Sequence, residues 1–223
     1  MAVTDADPRL TSALAVQLGQ WRTTLSAGAE RVGWKLGVGE RESIGSGPVI
    51  GHLTSATRLE PGAVYRADGL VALHADAEVG LELRLDVSPD ADRESAWDAI
   101  AGFGAALELV DLGAPPDDPE SIVATNVFHR AFALGSLERS LPADGVEGRL
   151  IVNGEPRASA TASEDFAGLV GSAAALLGEV GERLRAGDRL LMGSVVQLPV
   201  EPGDEVIADL GALGRTHLAI APA

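Results

Sequence analysis

Lys35 stands alone as a cation in the stretch Gly33-Trp34-Lys35-Leu36-Gly37, with glycine two places to either side. Glycine lets a backbone approach a small anionic ligand closely. A lysine held there can neutralise a substrate carboxylate, or move a proton if its pKa is depressed. The alternative reading is that of most lysines in an acidic protein, a solvated surface charge. Trp34, Leu36 and Val38 flank it as a strand would, which sets Lys35 on one defined face.

Glu108 is the second anomaly. It interrupts Ala105-Ala106-Leu107-Glu108-Leu109-Val110-Asp111, and burying an unpaired carboxylate there would cost several kcal/mol. A bound cation would remove that cost, since hard divalent ions such as Mg²⁺ take one or two protein carboxylates and complete their shell with water and substrate. Alternation with Leu107 and Leu109 equally permits a half-exposed strand with Glu108 in water. Glu78 carries the same two readings. The four histidines, His52, His74, His129 and His217, are dispersed without an HxH or HExxH pattern, which speaks against zinc and for structural or surface roles. GxSxG, Walker A and GxGxxG patterns are missing, so acyl-serine hydrolases and nucleotide-binding folds drop out.

The elements that must position these residues follow from periodicity. Asp7 and Pro8 form a cap and first-turn pair, and Leu10, Leu14, Leu18, Trp21 and Leu25 share one face of a helix of about 18 residues. From Gly33 the pattern turns to short apolar runs divided by turn signals, Gly45-Ser46-Gly47-Pro48 and Glu60-Pro61-Gly62. Val71 to Val87 alternates, with Leu73, Ala75, Ala77, Val79, Leu81, Leu83 and Leu85 opposite His74, Asp76, Glu78, Gly80, Glu82 and Arg84. This predicts one long strand, bent or bulged at Gly80. A helix opening near Ser95 continues through Trp97, Ile100, Ala101 and Gly104, followed by a strand over 105–112 and a Pro/Asp loop over 113–119. Ser163 and Asp165 open another helix that runs to Leu184, with Gly187 as its cap. The remainder, 189–220, is β-like. The order of elements is α+β, in one domain over 1–223 with an N-terminal helical segment over 1–32.

Composition sets limits on partners. The 223 residues, 46% hydrophobic, suffice for one sizeable core, and 33 acids against 17 basic residues give a net charge of -16. Nucleic acid and anionic membranes are unfavourable partners for such a chain. With no cysteine there are no disulfides or thiolate metal sites. Nothing after Met1 reads as a signal peptide, and the longest weakly polar stretch, 167–177, is far below the ~20 residues of a membrane span. A cytoplasmic protein is the expectation.

Taken in order, these motifs resemble the fumarylacetoacetate hydrolase superfamily, in its branch of 2-oxopent-4-enoate hydratases and 4-oxalocrotonate decarboxylases. The A-x-A-x-Q helix resembles Ala13-Leu14-Ala15-Val16-Gln17, the GxKxG segment Gly33 to Gly37, and P-x-x-G-x-L Pro48 to Leu53. Glu78-Val79-Gly80, Ala106 to Asp111, Ala124 to Gly135, Val152-Asn153-Gly154, Ala186-Gly187-Asp188 and Gly193-Ser194 continue the likeness nearly end to end. It departs in the E-x-E pair, where Gly80 follows Glu78, so one of three expected carboxylate ligands is replaced. Asp76 and Glu82 share the Glu78 face but lie ~6.6 Å along the strand from the ligand positions. The loop 39–47 lacks the histidine of hydrolytic members.

The resemblance implies a mixed β-sheet roll or sandwich flanked by helices. It implies a hydratase-like lyase acting on a small unsaturated 2-oxo acid, chelated by Mg²⁺ or Mn²⁺ that stabilises an enolate. Lys35 would be catalytic and Glu78 and Glu108 the metal ligands, with Asp111, Asn126, Ser194 and Gln197 lining the substrate pocket. A decarboxylase, isomerase or cyclase on the same fold remains open. So does a non-catalytic subunit with a degenerate metal site, partnering a paralogous decarboxylase or hydratase; otherwise a homo-oligomer is expected.

Overall fold

The computed structural model describes residues 8–37, 49–113, 118–141, 145–162 and 164–222. Asp7, Val38, the loop 39–47, the turn 45–48, Ser163 and part of the loop 113–119 lie outside the described residues. The leading helix, α1, spans Pro8–Ser26 and buries Leu14, Leu18 and Trp21, as the spacing predicts. The helical segment therefore ends before residue 32.

Among the described residues, twelve strands follow α1. They are β1 (Arg31–Gly37), β2 (Val49–Thr54), β3 (Arg58–Leu59), β4 (Val64–Tyr65), β5 (Leu73–Leu83), β6 (Ile100–Asp111), β7 (His129–Leu134), β8 (Val146–Val152), β9 (Glu155–Ala162), β10 (Arg189–Pro199), β11 (Glu205–Asp209) and β12 (Arg215–Ile220). Three further helices are α2 (Arg93–Asp98), α3 (Pro119–Ala124) and α4 (Phe166–Glu179). A seven-stranded sheet runs β2-β1-β10-β5-β6-β7-β3 and a five-stranded sheet runs β4-β12-β11-β8-β9. Both are mixed, since β1 with β10, β3 with β7, and β4 with β12 pair in parallel. This is the α+β sheet architecture expected.

One covalent constraint shapes the larger sheet. Its two edge strands, β2 and β3, are joined only by the turn 55–57, so the sheet must curl until its edges meet. The Phe132 N–H closes the seam by donating to the Thr57 carbonyl at 3.0 Å. One face, with Ala75, Ala77, Val79, Leu81 and Leu107, packs into the main core together with residues of the second sheet such as Leu150, Val152 and Val206. The other face encloses a smaller apolar cluster of Val32, Leu53, Ala106, Phe132, Leu134, Leu137 and Leu191.

Several elements differ from the sequence reading, each for a physical reason. β5 ends at Leu83 and passes straight through Gly80, which pairs with Gly104; the register irregularity falls at Glu82/Leu83 instead. A neighbouring strand on each side holds it flat there. The α2 helix stops at Asp98, and Ile100 already belongs to β6. Ile100 and the small residues Ala101, Gly102 and Gly104 fit the ladder, where a Cβ on Gly104 would lie 1.9 Å from the Ser136 carbonyl oxygen. The α4 helix is capped by Asp165 and ends at Glu179, so Gly187 is not its cap. Leu184 is already in a bridge with Val87.

Gln17 links α1 to this frame. It is fully buried, and its Nε2 donates to the Ile50 carbonyl at 2.9 Å and the Val123 carbonyl at 2.6 Å. Replacing it by leucine strands both acceptors, at about 1–3 kcal/mol each. The Gln17→Leu variant should therefore lose ~2–5 kcal/mol in urea unfolding, whereas an exposed neighbour such as Gln20→Leu should change stability by less than ~0.5 kcal/mol.

Candidate active site

Three strands of the curled sheet, β1, β5 and β6, with β10 between the first two, bring Lys35, Asp76, Glu78 and Glu108 onto its enclosed face. Lys35 projects from β1, Asp76 and Glu78 from β5, and Glu108 from β6 opposite Asp76 in the ladder. All four are buried: Lys35 is 4% exposed, Asp76 4%, Glu78 3% and Glu108 1%. The half-exposed reading of Glu108 therefore gives way to the buried one.

Lys35 Nζ donates to both oxygens of Glu108 at 2.6 Å and to the Val127 carbonyl at 3.1 Å. His129 Nδ1 lies 2.6 Å from Glu108 Oε1, and its Nε2 lies 3.0 Å from Thr57 Oγ1. Asp76 accepts from the Ser194 hydroxyl at 2.7 and 2.9 Å and from Gln197 Nε2 at 3.2 Å. Ser194 and Gln197 are exposed, so Asp76 marks the side of the cluster that reaches the surface. Glu78 is enclosed, and its Oε2 has no hydrogen-bond partner among the described residues.

The glycines around Lys35 act differently from the sequence reading. A Cβ on Gly33 would lie 1.9 Å from the Arg189 carbonyl oxygen, and one on Gly37 would meet Val49 and Val127 side chains at 3.0 and 3.2 Å. These glycines let strands and side chains pack against β1; they do not admit a ligand. Gly51, across the ladder from Lys35, leaves room for the lysine stem, since a Cβ there would sit 2.7 Å from its Cγ.

Two irregularities aim the partners. Between β6 and β7 the register shifts after Leu109/Ala131, because Val110 pairs with His129 and Arg130 is left over. Strict alternation would send His129 to the opposite face; the bulge turns it toward Glu108. A wider irregularity between Met192 and Val196 of β10 carries Ser194 to Asp76. A third feature is a left-handed turn at Asn126, Val127 and Phe128, with φ of 63°, 52° and 62°. Asparagine tolerates this region, but valine and phenylalanine pay about 1–2 kcal/mol each. The turn presents the Val127 carbonyl to Lys35, and Asn126 exchanges hydrogen bonds with the His52 backbone.

Electrostatics separate the three carboxyls. Burial alone would push Glu108 up, but Lys35 and His129 outweigh it and hold the group below its ordinary range. Glu78 is driven well above that range by burial and then by Glu108 and Asp76. Burial, opposed by Ser194 and reinforced by Glu108, raises Asp76 to about 7. Burial also lowers His129 despite its bond to Glu108. The cluster thus holds one charge pair and two carboxyls that burial pushes toward their protonated forms.

The remaining sequence candidates fall in different places. Asp111 does not join the cluster; it accepts from the Val71, Ala72 and Gly113 amides and faces Arg130 at 3.6 Å. Asn126 lies beside Lys35 as a backbone clamp. Gly80 shares the enclosed face with Glu78, and a Cβ there would meet Leu137, Leu134 and Ala106 of the apolar cluster at 3.0, 3.1 and 3.5 Å. Asp76 instead supplies the third carboxylate, without the distortion the sequence spacing suggested. Sequence reasoning also passed over His129, whose placement depends on the Arg130 bulge. Two surface cavities, of about 570 Å³ between α1 and α3 and about 610 Å³ beside Trp97 and Phe166, include none of these residues.

The donor set of Asp76, Glu78 and Glu108 is all hard oxygen, and the orphaned Glu78 oxygen is the kind of atom a divalent cation would satisfy. The residues therefore fit Mg²⁺ or Mn²⁺ in chemistry. Among the described residues, however, no group of three or more His, Asp and Glu is already convergent on one point.

No family model matches the sequence, and neither does any curated protein. Solved structures do. A 4-oxalocrotonate decarboxylase from Pseudomonas putida G7, complexed with magnesium and adipate, superposes with a TM-score of 0.84 at 24% identity, over 95% of this chain and 86% of that one. A fumarylpyruvate hydrolase from Pseudomonas aeruginosa with Mn²⁺ and pyruvate gives 0.64 at 16%, over 87% and 91%. A 2-hydroxyhepta-2,4-diene-1,7-dioate isomerase from Mycobacterium marinum gives 0.62 at 18%, over 87% and 77%. The chain has this fold, the fumarylacetoacetate hydrolase type. No described helix is long and apolar enough to cross a membrane.

The charge arrangement can be tested through stability. In cation-free buffer Glu108→Gln leaves Lys35 buried without its counter-ion and should cost about 3–5 kcal/mol, whereas Glu78→Gln, which mimics the protonated acid without the cost of taking up a proton on folding, should leave urea stability near neutral pH unchanged or raise it. For Asp76, raised from 3.8 to about 7, the folded state keeps a proton that the unfolded chain loses near its ordinary pKa. Its contribution thus grows more unfavourable as pH rises between about 4 and 7, by up to ~4 kcal/mol. Urea midpoints across that window, with EDTA, should show a slope that Asp76→Asn removes.

Proposed function

We propose that this chain is a hydratase-like lyase acting on a small unsaturated 2-oxo acid through its enolate. The observation that carries the reading is the buried excess of carboxyls around one lysine, with a Glu78 oxygen left unpartnered. An enzyme would keep so unfavourable a group if a cation and an anionic ligand complete it during turnover. The likeness in fold to enzymes solved with magnesium or manganese supports the same reading.

A divalent cation held by the carboxylates would supply counter-charge to the enolate. The chain's own residues do the rest. Lys35, fixed by Glu108 and the Val127 carbonyl, holds the proton exchanged with the substrate carbon. Ser194 and Gln197, at the exposed side of Asp76, orient the polar end of the substrate. The apolar cluster around Phe132 and Leu191 keeps water from the enclosed face.

Decarboxylation is the second reading, favoured by the TM-score of 0.84 with a decarboxylase. Isomerase or cyclase chemistry would use the same enolate. A non-catalytic subunit is the reading that rests on Gly80 standing two residues after Glu78, where the neighbours are leucines.

Proton NMR in D₂O tests the reading. With Mg²⁺ or Mn²⁺ present, the protein should exchange the C3 protons of a saturated 2-oxo acid, and Lys35→Ala should slow that exchange by about 10²–10⁴-fold. With 2-hydroxypenta-2,4-dienoate the product should be a 4-hydroxy-2-oxo acid. CO₂ release from an unsaturated 2-oxo diacid would select the decarboxylase. If exchange, hydration and CO₂ release are all absent, enolate chemistry is the wrong assignment.

A further inference from the structure

We propose that the cavity beside Trp97 is a binding site for a small organic ammonium cation, held against the indole face and beside two carboxylates. The site lies apart from Lys35, Asp76, Glu78 and Glu108, and it stands on observations independent of how that cluster is read.

The wall of the cavity is aromatic and rigid. Trp97 on α2 is 47% exposed, yet its ring is not free to fold away. It packs against Phe103 of β6 with centroids 5.9 Å apart, and Phe103 meets Phe166 of α4 edge-on at 5.5 Å. Phe103 and Phe166 are buried, so this chain of rings anchors Trp97 from behind and leaves indole surface to the cavity. At about 610 Å³ the space is of the size that small ligands occupy. The neighbouring backbone is fixed too: a Cβ on Gly193 would lie 3.3 Å from Glu164 Cγ and 3.4 Å from Phe166 Cε1, so β10 packs closely against both.

Charge selects the ligand. Arg93, Glu94, Glu164 and Asp165 line the cavity, and the first and last of these are already satisfied. Arg93 Nε donates to both Asp165 oxygens at 3.0 and 3.1 Å, and the Gly168 N–H in the first turn of α4 donates to Asp165 at 3.0 Å. One carboxylate thus answers both positive features of the wall, the guanidinium and the helix N-terminus. No described residue pairs with Glu94 or Glu164, which leaves a surplus of two negative charges. The face of an indole is negative as well, and among aromatic rings it attracts cations best. The chain uses that attraction elsewhere, with the Arg31 guanidinium 5.6 Å from the Trp21 ring and 5.2 Å from the Trp34 ring. Among the described residues no cation covers Trp97. A divalent metal ion would need converging oxygen ligands, and no group of three converges among the described residues. An alkylated ammonium needs only an aromatic face and diffuse negative charge.

NMR of the tryptophan indole N–H groups in the full-length protein tests the proposal, with choline and its uncharged isostere 3,3-dimethylbutan-1-ol as probes. Trp21 and Trp34 are buried, so Trp97 is the reporter. Choline should shift the Trp97 resonance saturably in the millimolar range, and the isostere should bind at least ~10-fold more weakly. Glu94→Gln and Glu164→Gln should each weaken choline binding by about 2–5-fold. In Trp97→Leu, saturation transfer to the choline methyl protons should be lost. Trp97→Phe keeps a ring against Phe103 and should bind with intermediate affinity, which preserves the test if the leucine variant unfolds. Equal binding of choline and the isostere would reduce the cavity to an apolar cleft and overturn the proposal. A shift caused by inorganic phosphate in place of choline would overturn it too, assigning the wall to Arg93 and the α4 N-terminus. A Trp97 resonance that moves only with protein concentration would assign the face to a second copy of the chain, with the same consequence. None of these readouts depends on turnover, so this proposal and the lyase reading stand or fall separately.

Discussion

The buried pair of Lys35 and Glu108 is the interaction on which the site depends. Placing two ions on the enclosed face of a curled sheet is unfavourable unless each is neutralised and fully hydrogen-bonded, and here each is. Every lysine N–H has an acceptor, and the glutamate has donors from Lys35 and His129. The surrounding architecture serves that requirement. The short β2–β3 turn curls the sheet, the Arg130 bulge rotates His129 inward, and the left-handed turn at 126–128 delivers a backbone carbonyl. Non-glycine residues in that conformation store strain that only a well-determined environment maintains. Its position beside the lysine links the strain to the site.

Much of this was legible in the sequence, and the limits of legibility have physical causes. The α1 face, the β5 alternation and the Glu60-Pro61-Gly62 turn follow from local periodicity and turn chemistry, so a single chain suffices to read them. Lys35 and Glu108 could be singled out because each violates the apolar pattern of its own strand. The family resemblance then supplied the fold, and the superposed structures agree with it. Asp76 was visible as a carboxylate on the Glu78 face, yet the pair was read as Glu78 and Gly80. What distinguishes them is their neighbours, leucines around Gly80 and Glu108 opposite Asp76, and those neighbours are far away in sequence.

His129 shows the harder limit. Period-two alternation is the main rule available for a strand, and one extra residue inverts it for everything beyond. Arg130 is that residue. Nothing in its type announces a bulge, and the bond that results joins positions on different strands whose register only the folded sheet defines. The same holds for Ser194, carried to Asp76 by the irregularity in β10. The groups most tightly linked to the central charges are therefore the ones a sequence pattern conceals.

The three carboxyls share one enclosure but not one electrostatic state, and this difference bears on how such a site works. Glu108 is kept ionised by Lys35 and His129, while Glu78 and Asp76 are pushed toward their protonated forms by burial and by the charge of Glu108. A divalent cation arriving near Glu78 would displace those protons, because ligation requires the carboxylate. Binding would then be coupled to proton release and weakened as pH falls. The pair Lys35–Glu108, neutral as a unit, would contribute little to that exchange. On the proposed reading the site would separate two tasks, holding a cation and holding a proton, between neighbouring groups of one sheet, and such a separation of environments is the general means by which similar side chains acquire different roles.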